Sequence, residues 1–162
     1  MNSIFKRYSV RKYTDQKISD ENIKLLLKSA MQAPSAGNQQ PWRFTVITNK
    51  EKLKELALIS PYSKFVKESN LCIIVSITDN VKYKELAPID AAIAAENILI
   101  EAVELGFGGT YLAVYPFEDR INSLKNILNT KDLPSCIISL GYPSDSHEIQ
   151  DRFDEEKVKY VR

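Results

Sequence analysis

The run Leu71-Cys72-Ile73-Ile74-Val75 constrains the fold more than any other stretch of the chain. It leaves no polar face, so a strand here must be covered on both sides. That predicts a central strand over Leu71 to Thr78, in a sheet with helices above and below. The neighbouring segments supply them. Ser19 is placed as an N-cap ahead of Ile23, Leu26, Leu27, Ala30 and Met31, the stripe of an amphipathic helix that Pro34 ends. Arg43 to Thr48 reads as a strand. Thr48 and Glu51 have capping-box spacing before Leu53, Leu56 and Ala57, so a second helix is expected up to about Pro61. A third, roughly Asp90 to Leu105, opens with Ala91, Ala92, Ala94 and Ala95, small residues suited to close packing, and stops at Gly106. A strand at Thr110 to Tyr115, a helix at Glu118 to Leu128, a strand at Ser135 to Leu140 and a charged tail complete the chain. At the N-terminus a short apolar turn at Ile4 and Phe5 precedes an extended stretch from Lys6 to Tyr13. Strands and helices alternate, which predicts an α/β or α+β class. With 162 residues, one domain over 1–162 is expected.

Charge excludes several functions. Lys plus Arg is 22 against 21 Asp plus Glu, so no global field draws this chain onto nucleic acid or acidic lipid, and any anion site must be local. The apolar run of Leu71 to Val75 is far short of the ~20 residues a membrane helix needs, and the first residues hold no apolar signal core. Cys72 and Cys136 are the two cysteines and His147 the only histidine. This predicts a reduced, cytoplasmic protein without a zinc site. His147 lies in the polar stretch Ser144-Asp145-Ser146-His147-Glu148, as a surface histidine would, so a hydrolytic triad is disfavoured.

Arg7, Ser9 and Arg11 form an Arg-x-Ser-x-Arg pattern, whose alternate residues share a side of an extended chain. The sequence has only six arginines (Arg7, Arg11, Arg43, Arg120, Arg152, Arg162), and two lie within five residues. Two guanidinium forks with a hydroxyl between them suit a phosphate dianion; a solvated basic surface flanked by Lys6 and Lys12 is the alternative. The segment from Pro34 through Ser35, Ala36, Gly37, Asn38, Gln39 and Gln40 to Pro41 is a loop of small residues and side-chain amides. Such a loop suits the edge of a planar heterocycle, or it is a helix exit that leads Trp42 into the core. Gly106-Phe107-Gly108-Gly109 follows a helix rather than opening one, so it reads as a C-cap and turn and not as a dinucleotide fingerprint. Asp90 and Glu96 read as a first-turn dipole partner and a packed or paired surface carboxylate.

Five motifs in register resemble one family: Arg7-x-Ser9-x-Arg11, Ala33-Pro34-Ser35-x-x-Asn38-x-Gln40-Pro41-Trp42, the Gly-rich exit from an Ala-rich helix, Leu140-Gly141-Tyr142-Pro143, and Arg152-Phe153. Together they run over nearly the whole chain, which is identified as a short member of the FMN-dependent nitroreductase family. The resemblance implies an α+β sandwich, a mostly antiparallel central sheet flanked by helices in a domain-exchanging homodimer. It implies that Arg7, Ser9 and Arg11 bind the phosphate and ribityl end of FMN, with Arg152 adding a phosphate contact. Pro34, Ser35, Ala36 and Asn38 would come from the partner subunit and lie against the isoalloxazine, giving shared active sites. The backbone near Val114 and Tyr115 would face the reactive N5 edge. Two departures stand out: Pro116 has no N–H to donate, leaving that bond to Tyr115, and Gln150 stands where some relatives have Lys.

The chemistry so implied is ping-pong hydride transfer from NADH or NADPH through FMN to a small electron-poor acceptor such as a nitroaromatic or quinone. It needs no dedicated histidine base. A flavin-binding or redox-sensing protein with little turnover, and a specialised flavin enzyme such as a reductive dehalogenase, are the alternatives. The eleven residues between Thr78 and Asp90 are few for the elaborate lid of a dehalogenase.

Overall fold

The computed structural model describes residues 2–162. Its strands are β1 (Trp42–Ile47), β2 (Leu71–Ile77), β3 (Gly108–Ala113) and β4 (Leu133–Gly141), and its helices α1 (Ser3–Lys6), α2 (Asp20–Met31), α3 (Lys50–Leu56), α4 (Ala87–Glu104) and α5 (Glu118–Leu128). The strands form one sheet in the order β1-β2-β4-β3, every pair antiparallel. This is an α+β architecture. As expected, β2 is central and every one of its residues is buried.

Alternation along the central strands divides the core into two layers. Leu71, Ile73, Val75 and Ile77 of β2 and Cys136, Ile138 and Leu140 of β4 pack with Leu26 and Ala30 of α2 and with Ala91, Ala94, Ala95, Ile98 and Ala102 of α4. Cys72, Ile74 and Ile137 face the other way, onto Leu53 and Leu56 of α3 and Ile121 and Leu124 of α5. Each fully buried aliphatic side chain contributes about 1.5–3 kcal/mol, so a polar side chain in place of Leu71, Ile73, Ile74 or Val75 is strongly destabilising.

Several element boundaries differ from expectation for identifiable reasons. The cap of α3 is Asn49, whose side chain accepts the Lys52 N–H at 3.0 Å, because Ile47 is still paired with Cys72 and the chain turns one residue later than Thr48. Helix α4 starts at Ala87, since Pro88 in its first turn needs no hydrogen bond there. Strand β3 takes in Gly108 and Gly109, read from sequence as a turn. A Cβ on Gly108 would lie 2.2 Å from Val10 Cγ2, and one on Gly109 2.6 Å from Ser139 O. These glycines allow close approach inside a strand.

The N-terminal stretch is extended but makes only isolated bridges, Ser9 with Gly109 and Tyr13 with Pro143. Residues beyond β4 run back along it: Tyr142 O accepts the Thr14 N–H at 2.9 Å and Lys12 O the Ser144 N–H at 3.1 Å. The final segment, alternating from Lys157 to Val161, is not a strand within this chain.

Candidate active site

Three regions carry the predicted residues, and the fold brings some of them together. The first is a cleft of about 930 Å³ between α1 and the C-terminal tail. Lys6, Arg7 and Arg152 give it positive charge, and Ile4, Phe5, Ile149 and Phe153 give it exposed apolar walls. Arg7 and Arg152, 145 positions apart in the chain, thus share one surface. Arg7 Nε pairs with Glu96 Oε1 of α4 at 3.4 Å, which makes Glu96 the paired carboxylate expected. Among the described residues Arg152 has no ion-pair partner.

The expected convergence of Arg7 and Arg11 is not realised. Arg7 is tied to α4 in one layer, whereas the Arg11 guanidinium lies over the Phe65 ring at 5.8 Å, and Phe65 packs on the opposite layer. The reason is that residues 7–13 are not a regular strand. They cross the β3 edge of the sheet on the single bridge at Ser9, so the two side chains meet different neighbours. Ser9 itself is exposed.

His147 lines the same cleft and stacks on Tyr8, ring centroids 4.7 Å apart at 20°. The Tyr8 hydroxyl donates to Asp145 O at 3.1 Å. Burial first, and then the Asp145 charge, push its pKa up, so it stays a neutral donor at physiological pH. Neither His147 nor Tyr8 has a serine or cysteine nucleophile as hydrogen-bond partner, and no group of three His, Cys, Asp or Glu suited to a metal ion occurs among the described residues.

The second region is the loop after α2. Ser35, Ala36 and Asn38 stand at a tight turn, Ala36–Asn38 forming a 3-10 segment with Gly37 at φ 55°. Asn38 and Gln40 also have positive φ, 55° and 46°, a conformation that non-glycine residues rarely adopt. Hydrogen bonds hold it: Gln40 N–H to Ser35 Oγ at 3.0 Å and Gln40 Nε2 to Asn38 Oδ1 at 2.9 Å. Asp90 of α4, 4% exposed, accepts the Ala36 N–H at 3.0 Å and Gln39 Nε2 at 2.8 Å. Sequence reasoning assigned Asp90 to the helix dipole and missed this role; the signal was a carboxylate on an otherwise Ala-rich buried face. The Gln40 amide is engaged inside the loop and the Gln39 amide outside it, with Asp90 and Tyr83, while Pro34 and Asn38 are exposed and Ser35 is half-buried.

The third region follows β3. Val114 is fully buried and its carbonyl accepts the Phe117 N–H at 2.9 Å, whereas Tyr115 and Phe117 are exposed. The N–H groups of Val114 and Tyr115 both donate to Ser135 O, at 3.1 and 3.0 Å. This corrects the expectation that the Tyr115 N–H points at a flavin N5: β4 already takes it. Arg120 caps this turn from α5, donating to Ala113 O at 2.8 Å and lying 4.2 Å over the Phe117 ring.

Comparison with known proteins is decisive here. A model of the Nitroreductase family matches residues 4–61 and 60–142. The chain belongs to the nitroreductase family. An Archaeoglobus fulgidus protein, provisionally named NADH dehydrogenase/NAD(P)H nitroreductase, is 38% identical over 96% of this chain and 93% of its own length. A crystal structure from Clostridium acetobutylicum, provisionally named NADH oxidase, superposes with a TM-score of 0.96 at 40% identity, covering 99% of each chain. A nitroreductase from Desulfovibrio desulfuricans, solved in complex with FMN, gives a TM-score of 0.85 at 27% identity, covering 99% of this chain and 95% of that one. The four-stranded antiparallel sheet with its flanking helices is thus a nitroreductase fold.

Proposed function

We propose that residues 1–162 are one FMN-binding domain of an NAD(P)H-dependent oxidoreductase that reduces small electron-poor acceptors such as nitroaromatics and quinones. The observation that carries the reading is the cleft joining Arg7 and Arg152. Its donor set fits FMN: guanidinium groups suit a terminal phosphate dianion, and apolar walls suit the rest of an amphipathic cofactor. The D. desulfuricans relative binds FMN, and a Bacillus subtilis relative, 26% identical, is an FMN reductase (NADPH).

FMN, held there, would supply the two-electron hydride chemistry between NAD(P)H and a small acceptor. The residues of this chain bind and orient. Arg7 and Arg152 hold the phosphate end, and Ser9 and Arg11 extend the contact along the ribityl chain. Arg11 must leave the Phe65 ring to do so, and its side chain is exposed. Pro34, Ser35, Ala36 and Asn38 of one protomer lie against the ring held by its partner, because within one protomer this loop and the arginine cleft are separate surfaces. At the turn of Val114 and Tyr115 the exposed Tyr115 side chain would lie toward the N5 edge, with buried Val114 behind it and both N–H groups engaged with Ser135. No histidine base is required, consistent with His147 stacked on Tyr8.

Purification tests the reading directly. The protein should be yellow, release FMN rather than FAD on denaturation, and consume NADH or NADPH when a quinone is added. A colourless protein that neither takes up added FMN nor oxidises either nucleotide would contradict it.

A further inference from the structure

The loop from Ser35 to Gln40 is held by side chains that the proposed chemistry does not otherwise use. Gln39 sits at the centre. Its Oε1 accepts the Tyr83 N–H at 2.9 Å, while its Nε2 donates to Tyr83 O at 3.1 Å and to Asp90 Oδ2 at 2.8 Å. The remaining Asp90 oxygen, Oδ1, accepts the Ala36 N–H at 3.0 Å. One amide and one carboxylate therefore join the loop to a segment 44 residues beyond Gln39, the turn around Tyr83 and the first turn of α4 that directly follows it. The Tyr83 ring closes the arrangement from above, since a Cβ on Gly37 would lie 2.7 Å from Tyr83 Cε2.

This network offsets a real cost. Asn38 and Gln40 both adopt left-handed backbone, and such residues persist only where their surroundings over-determine them. Asp90 is buried, so its two hydrogen bonds are charge-assisted and shielded from water. The donors and acceptors match one to one, which defines the orientation of the Gln39 amide.

We propose that Asp90 and Gln39 are positioning residues for cofactor binding: acting through the Ala36 N–H and the Tyr83 backbone, they hold the Ser35–Asn38 edge in the conformation that meets the isoalloxazine of the partner protomer. The proposal rests on the FMN reading above. It also gives the segment between β2 and α4 a task, since its Tyr83 backbone is the second anchor of the loop.

The matched polarity makes a distinctive test. Asp90→Asn places an amide NH₂ against the Gln39 NH₂ or the Ala36 N–H, removing one charge-assisted bond. Gln39→Glu places two carboxylates face to face. The double variant restores a donor–acceptor pair between residues 90 and 39 while losing the bond to Tyr83 O. Asp90→Asn should therefore weaken FMN binding by about tenfold in the wild-type background and strengthen it in the Gln39→Glu background. This reversal of sign is the signature of the pair.

The probe is FMN itself, titrated by flavin fluorescence quenching against each full-length apo-protein, with visible circular dichroism of the bound flavin reporting the ring's surroundings and thermal melts of the apo-proteins reporting folding. Sign reversal with apo melting temperatures within a few degrees of wild type supports the proposal. Equal FMN affinity for wild type, Asp90→Asn and Gln39→Ala overturns it, and so does a loss of affinity that tracks melting temperature and leaves the flavin dichroism unchanged. Wild-type protein that binds no FMN overturns the cofactor reading and this proposal with it, an outcome distinct from binding that is indifferent to Asp90.

Discussion

In the proposed site, Arg7 is where residue-level electrostatics and the cofactor would meet. Its guanidinium has one carboxylate partner, the exposed Glu96, and faces a cleft that also holds Arg152. The Arg7 side chain is 22% exposed and Glu96 about half, so the pair is partly screened and the melting temperature of the apo-protein is to be read beside affinity when Arg7 is exchanged. Arg7→Glu is expected to weaken FMN affinity by about 30-fold or more, equivalent to ~2–5 kcal/mol, because an attractive contact becomes a repulsive one. Equilibrium titration of the apo-protein checks this, and unchanged affinity would remove Arg7 from the phosphate site. Gly109 is an opposite case, a residue whose role is steric. A Cβ there meets Ser139 O at 2.6 Å and Leu140 Cδ2 at 2.8 Å. Since a paired backbone carbonyl cannot move aside cheaply, Gly109→Ala should lower stability by about 1–3 kcal/mol, seen as a lower urea midpoint at constant m-value. What the sequence made legible at this scale was residue type: small residues with amides for a loop, and Glu96 as a paired carboxylate. The identity of partners was not legible. The separation of Arg11 from Arg7, the capture of the Tyr115 N–H by Ser135 and the link from Asp90 to Gln39 all depend on contacts between distant segments.

At the scale of elements, the sheet was the most legible part because its signal is local. An unbroken apolar run marks a strand covered on both faces, and β2 is such a strand, flanked by β1 and β4. Boundaries were less legible wherever one residue type serves two purposes. Gly108 and Gly109 terminate helices in many chains, and here they admit Val10 and Ser139 to a strand. The two central strands also carry a pH dependence. Cys72 of β2 and Cys136 of β4 are buried, and burial pushes both thiols up to about 12 from an ordinary 9.0. A raised folded-state pKa means that the neutral thiol's stability is complete below the unfolded value and is lost as pH rises toward the folded one. Stability should thus be level in this respect up to about pH 8.5 and then fall by roughly 1.4 kcal/mol per pH unit for each thiol between pH 9 and 12. Urea unfolding across that range checks it: Cys136→Ala should flatten the slope, and an unaltered slope would show that other groups dominate. The same burial predicts that a thiol reagent labels neither cysteine until the protein unfolds.

For the whole molecule, the proposed reading involves two protomers. The arginine cleft and the Ser35–Asn38 loop are distinct surfaces of one chain, and in the proposed site they come from different subunits. Exposed Ile4, Phe5 and Phe153 around the cleft, and a terminal segment from Lys157 to Val161 that pairs with no strand of its own chain, are features that a partner would cover. A ligand gripping both subunits stabilises the dimer by mass action, and dilution of the dimer must in turn release the ligand. The central claim is therefore a coupling, and analytical ultracentrifugation of apo- and FMN-loaded protein across a dilution series, with absorbance read at both protein and flavin wavelengths, tests it most directly. The account predicts that FMN lowers the concentration at which the dimer dissociates and that flavin absorbance leaves the protein boundary as monomer appears; a monomer that sediments with stoichiometric FMN would contradict it.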